Sequence, residues 1–326
     1  MLRLYRGIGP GTILLIIISM GLIWLQPLLN PVEPSMFHDN NPAPLYSILL
    51  GFFKDSPRGA VIFSMVLILV ISVYLVNFNT RLFFINERTF LPASLYVILS
   101  GFIKSMQVLN PVLPASLLLL IAIDRLLVSY RKPGVAYNLF DASLFIGIAA
   151  LIYTNIIWFY IVIVSGIIIF RSFNLRELMI SIFGLLLPFI ILYAVYYLTG
   201  RDLMMLNDFF IESIITEVSD YYWSPELIVV SALNALILLL ALLKLSSVYN
   251  TKKIRSRKIF SLLAWVFVVS LAAYFAVPSV SVEMMYVFLV PLVYFLTHYL
   301  VLMRNKKIAN YVFAIILFSV VFIQLS

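Results

Sequence analysis

His38, Asp39, Asn40 and Asn41 stand in a row between two of the most apolar stretches of the chain, and the short run "PAPLYSILLGFF" follows them. A carboxylate such as Asp39 is suited to removing the proton of a hydroxyl that is a poor nucleophile near neutral pH. The adjacent imidazole of His38 is suited to positioning that hydroxyl or helping to hold a metal ion. The competing reading is a solvated loop in which Asp39 caps a turn. Missing residues narrow the chemistry further. The chain has no cysteine, which excludes thiolate nucleophiles, disulfides, Cys-held metals and iron–sulfur clusters. It also lacks a GxxxxGK[ST] run, an HExxH pair and a GxSxG elbow. Nothing local therefore supports ATP hydrolysis, zinc proteolysis or hydrolase chemistry.

A membrane must position these residues. Of the 326 residues, 63% are hydrophobic and 11% charged, whereas a soluble globule carries about 25% charged residues. The mean hydropathy is +1.10. The sequence reads as one integral membrane domain, 1–326, of the all-α class. Its net charge of +8 then reports topology and anionic membrane lipids, with no nucleic acid as partner. The first apolar run follows Arg3 and Arg6 and lacks a small-x-small cleavage site, so it reads as a retained signal-anchor helix.

Spans are expected near 9–26, 59–77, 90–103, 111–129, 142–153, 156–170, 178–198, 227–244, 259–277, 284–302 and 308–325, about eleven transmembrane helices in all. The stretch 142–170 is too long for one ordinary span, and "YTNIIW" offers a polar break at which it folds back. Charge favours that hairpin. With the N-terminus cytoplasmic, 18 of the 22 basic residues fall inside, leaving Lys54, Arg58, Lys104 and Arg201 outside. A single crossing would place the run "TKKIRSRK" outside, against the positive-inside rule. The expected orientation is N-terminus cytoplasmic and C-terminus outside, in a bacterial inner membrane.

Two outer segments exceed hairpin turns. In 27–58, Pro31, Pro34, Pro42 and Pro44 keep the chain extended, and then Leu45, Ile48, Leu49, Phe52 and Phe53 recur at helical spacing. In 199–226, Leu203, Leu206, Phe210, Ile214 and Val218 form one face, with Asp208 and Glu212 on another. Both read as interfacial helices lying flat on the outer surface, a roof over a cavity. Within the spans, Asp124 and Arg125 lie near an inner end, where they can pair or snorkel. His298 reads as an interfacial or packed histidine more than a proton relay.

The arrangement resembles the GT-C superfamily of membrane glycosyltransferases, which use polyprenyl-phosphate sugar donors. Asp39 in "FHDNNPAPLYSILLGFF" matches the family's first-loop acid before a flat helix. "SVEMMYVFLVPLVYFL" is similar to its late span, with Glu283, Tyr286 and Pro291 in matching places, and "NLFDASLFIGIAALIYTNIIWFYIVIVSGIIIFR" resembles its pair of short helices. The chain departs from the pattern in having Met284 or Met285 where the family's late span carries an arginine, and in having a lone acid in the first loop. It also resembles a family of polytopic membrane proteins from Bacteroidota, which implies no activity.

The resemblance implies transfer of a sugar from a polyprenyl-phosphate-linked donor on the outer, periplasmic face. Asp39 is then the general base. Lys54 and Arg201 are candidates to face the leaving phosphate, with a divalent metal, magnesium or manganese, as the alternative cation. His38 would bind the acceptor, and Glu283 and Tyr286 would contact the substrate. The alternatives are a transporter or flippase of a lipid-linked substrate, which predicts broken helices meeting at midplane, and a non-catalytic membrane subunit or assembly factor, packed through small-residue stripes.

Overall fold

A computed structural model describes residues 1–31, 42–130, 136–170, 174–217 and 223–325. Among them the chain is all helical. Its helices are α1 (Leu2–Arg6), α2 (Pro10–Ile23), α3 (Leu25–Leu29), α4 (Pro44–Phe53), α5 (Pro57–Leu82), α6 (Leu91–Leu99), α7 (Val112–Val128) and α8 (Ala136–Ala150). They continue with α9 (Tyr160–Phe170), α10 (Leu175–Leu198), α11 (Leu203–Ile215), α12 (Pro225–Val248), α13 (Ile254–Ala276), α14 (Met285–Leu302) and α15 (Lys306–Leu325). Short 3₁₀ turns at Lys104–Met106, Thr154–Phe159, Tyr249–Thr251 and Val282–Met284 link some of them.

Local chemistry sets the helix starts. Proline opens α2, α4, α5 and α12, where a missing N–H costs nothing. The side chains of Ser56, Asn174, Asp202 and Ser224 accept hydrogen bonds from the first-turn N–H groups of α5, α10, α11 and α12.

Each of the eleven apolar runs coincides with a helix, but their lengths differ. Among the described residues, six helices are long and apolar enough to cross a membrane: α5, α10, α12, α13, α14 and α15. This is the architecture of a polytopic membrane protein. The others are shorter. α2 and α3 nearly join, because the Trp24 N–H donates to Met20 and the Leu28 N–H to Trp24. α6 has nine residues, all buried. At 1.5 Å per residue it covers about 14 Å, half the hydrocarbon thickness, so protein must surround it.

The segment after α6 is irregular and buried, which requires partners for its backbone groups. Three other elements supply them. The Gln324 amide donates to the Gly101 carbonyl, Tyr286 Oη to the Met106 carbonyl at 2.8 Å, and Tyr46 Oη to the Leu109 carbonyl at 3.0 Å. The Gln107 amide donates outward to the Ile23 carbonyl at 3.1 Å. A methyl group at Gly101 would stand 2.1 Å from Ile23, so α6 ends where the chain needs glycine.

The break expected at "YTNIIW" is present: α8 ends at Ala150 and a 3₁₀ turn precedes α9. α9 runs antiparallel to α13. The Asn155 amide donates to Ser279, just beyond the end of α13, while Lys258 Nζ, in its first turns, donates to the Ile169 carbonyl at the end of α9. α8 also packs closely on α10. Gly147 faces the Leu185 carbonyl, and Gly184 faces the Phe140 carbonyl.

Contacts between the connections fall at two ends of the bundle. At one end Arg6 pairs with Glu87, the Thr89 hydroxyl donates to the Arg6 carbonyl, the Leu2 N–H donates to Asn310, and Tyr249 bonds Ser261. Arg81 pairs with Asp124, which also accepts from the Tyr74 hydroxyl. At the other end Trp24 bonds Ser100, Tyr46 bonds Leu109, Asn155 bonds Ser279 and Gln324 bonds Gly101. α2, α6, α7, α9, α13 and α15 each carry the chain from one set to the other.

Candidate functional site

α4 and α11 meet over the junction after α8. Ala43, Tyr46, Ala60, Leu109 and Phe209 form one buried cluster there, with Leu49, Ile152 and Phe210 against it. The Leu45 N–H donates to the Leu151 carbonyl at 3.1 Å, which pins the start of α4 to the end of α8. The buried face of α11 is Leu206 and Phe209. This shifts the expected face, since Leu203, Phe210 and Ile214 are only partly covered. Asp208 and Glu212 are exposed, as their spacing predicted.

Beneath the two helices is a small pocket of about 30 Å³, lined by Pro42, Tyr46, Tyr153, Asn155, Phe209 and Ser213, among others. Tyr153, in its lining, and Tyr286 both lie near Glu283. Glu283 lies in the Val282–Met284 turn and is fully buried. Asn155 ties this region together. Its amide donates to the Ser279 carbonyl at 3.2 Å and to Ser279 Oγ at 3.0 Å.

Back to back with Glu283 is an apolar groove of about 260 Å³ between α6, α12, α13 and α14. Val282 and Met284, the neighbours of Glu283, line one end. Met285, Phe288, Leu289, Leu292 and Leu296 continue it along one stripe of α14. Eleven helical rises from Met285 to Leu296 make that stripe about 17 Å long. Its few polar groups are Ser231, Asn234 and Ser270, with Tyr274 and Trp223 towards the Glu283 end.

The structure thus brings Glu283 and Tyr286 together. Lys54 is exposed at the end of α4, and Arg201 is exposed with its guanidinium over the Tyr196 ring, 5.5 Å from the centroid. Neither joins Glu283. His38 and Asp39 lie outside the described residues. No group of three His, Asp or Glu that would hold a metal forms among the described residues. His298 is fully buried against Phe260, with ring centroids 5.1 Å apart, and neither ring nitrogen has a hydrogen-bond partner among the described residues. It is a packed histidine.

Tyr46, Tyr153 and Asn155 have no counterpart among the sequence candidates. The signal for the last two was the polar break itself, which pointed to topology and not to a pocket. All-helical architecture with six membrane-length helices among the described residues is that of a polytopic membrane protein. No family model, curated protein or solved structure matches the chain.

Proposed function

We propose that the protein is a membrane-embedded glycosyltransferase of GT-C type, which moves a sugar from a polyprenyl-phosphate-linked donor to an acceptor hydroxyl on the outer face. The observation that carries this reading is the joint placement of a roofed pocket, a buried carboxylate and an apolar groove at one end of the bundle. The groove offers about 17 Å of apolar wall for an isoprenoid tail, and the Glu283 turn stands at its end.

The full topology belongs to this reading. The end that holds Arg3, Arg6, Lys253, Arg255, Arg304, Lys306 and Lys307 faces the cytoplasm. Eleven crossings leave the C-terminus periplasmic, and α4 and α11 lie flat at the outer surface as interfacial helices. Pro42 lines the pocket, and Asp39 precedes it by three residues, a length of chain that reaches about 11 Å at most.

In the reaction, the acceptor oxygen attacks the anomeric carbon while the bond from that carbon to the donor phosphate oxygen breaks. The acceptor proton passes to the Asp39 carboxylate, and polyprenyl phosphate leaves with its negative charge. Glu283 is assigned contact with the sugar; it is fully buried and lines neither cavity, so that contact requires the Val282–Met284 turn to open. A divalent metal fits the described residues poorly, since they bring no three donors together, and no step is assigned to one.

The exposure of Lys54 and Arg201, away from Glu283, favours a second reading: a non-catalytic subunit that binds a lipid-linked molecule. One experiment separates the two. Lipid-linked sugars and glycoconjugates are measured by mass spectrometry in a deletion strain complemented with wild type, Asp39→Asn or Glu283→Gln at matched levels. A transferase gives loss of one sugar, build-up of its donor and no rescue by Asp39→Asn. An unchanged glycan profile, or full rescue by both variants, removes the transferase.

A further inference from the structure

We infer that the base-rich end carries a site for one anionic glycerophospholipid, its headgroup between α1 and α15 and one acyl chain along α15. This does not depend on the proposed reaction. A broad basin of about 780 Å³ opens between the two helices, lined by Leu2, Arg3, Arg6, Lys306, Lys307 and Tyr311, with Asn310. Four cations face it and no carboxylate does. Arg6 is neutralised by Glu87. Arg3, Lys306 and Lys307 are exposed and form no ion pair among the described residues.

The basin is held in shape by contacts distant in sequence. The Leu2 N–H donates to Asn310 Oδ1 at 2.9 Å, and the Tyr5 ring packs on Phe313 with centroids 5.2 Å apart. The three cations therefore sit on elements fixed to each other.

A second cavity, about 520 Å³, adjoins the basin through Tyr311, which lines both. It lies between α12 and α15, with Leu233, Ile315, Phe318 and Phe322 among its walls. From Tyr311 to Phe322 the lining residues recur every three or four positions, which makes one stripe about 17 Å long. Half of a hydrocarbon core about 30 Å thick is about 15 Å, so the stripe matches one leaflet. A cationic basin joined to an apolar track of one-leaflet length fits a phospholipid of net negative charge. A zwitterionic lipid would bring its own cation against three others.

The test uses the full chain purified in detergent, titrated with dioleoylphosphatidylglycerol or dioleoylphosphatidylcholine, with bound lipid counted by native mass spectrometry. One phosphatidylglycerol is expected to bind at least about tenfold more tightly than phosphatidylcholine. Arg3→Gln/Lys306→Gln/Lys307→Gln abolishes that preference. Ile315→Trp, which keeps the charge and fills the track, weakens the adduct. Arg176→Gln/Lys253→Gln/Arg255→Gln removes the same charge elsewhere at the basic end and leaves binding intact. All these positions are exposed, and monodispersity checks that the variants fold. Equal retention of both lipids, an equal loss in the second triple, or displacement of phosphatidylglycerol by equimolar polyprenyl phosphate would overturn the site.

Discussion

Tyr286 shows how one side chain serves both fold and site. Its hydroxyl satisfies the Met106 carbonyl in a buried, irregular segment, and the ring stands beside Glu283. Tyr286→Phe removes the donor and leaves that carbonyl buried without its partner, which costs about 1–3 kcal/mol. Thermal unfolding in detergent measures this as a lowered Tm. Lys54→Gln and Arg201→Gln, at exposed positions, should stay within about 0.5 kcal/mol of wild type. If the leaving phosphate meets either cation, the same variant lowers sugar transfer without changing Tm. Residues of this kind were only partly legible in the sequence. Glu283 stood out only through the resemblance, as the acid that opens the late span. Tyr153 did not, because a tyrosine in a polar break carries no sign of which carboxylate it will face. Tyr46 read only as part of an amphipathic run.

At the scale of elements, the apolar runs located every membrane-length helix, since a long stretch without charge has no other way to satisfy its backbone in lipid. Helix lengths were less legible. α6 is short because it is enclosed by protein, a property of its neighbours and not of its own composition. One close helix approach was also hidden: no small-residue stripe marks it, and α8 and α10 meet through two isolated glycines, Gly147 and Gly184, each facing a backbone carbonyl of the other helix. A methyl group at Gly184 would lie 2.4 Å from the Phe140 carbonyl oxygen, so backbone must move to admit it. Gly184→Ala should destabilise by about 1–3 kcal/mol. Gly21→Ala, in α2 with nothing within 4 Å, should instead be neutral or stabilising by up to about 1 kcal/mol. Parallel thermal melts of the two variants check the contrast, and equal melts would mean that α8 and α10 can separate freely.

For the whole molecule, the fold-back between α8 and α9 decides the sidedness of everything after it, and the sequence and the contacts bear on it differently. The sequence offered charge: a single crossing there strands the basic run at 252–258 on the wrong side. The contacts offer geometry, because Asn155 and Ile169 bond opposite ends of α13. Neither depends on the other. The absence of cysteine makes the topology directly measurable, since any thiol added is the sole one. Asp55→Cys and Arg201→Cys should react with a membrane-impermeant maleimide in intact spheroplasts. Arg176→Cys, Lys253→Cys and Arg304→Cys should react only after permeabilisation. All five positions are exposed, so failure to label reports the membrane and not burial. Arg176 is the decisive position: labelling there in intact spheroplasts means that 142–170 crosses once, which would move the basic run outside and place the roofed pocket, the groove and the lipid basin relative to the bilayer in a way that the proposed outer-face reaction could not use.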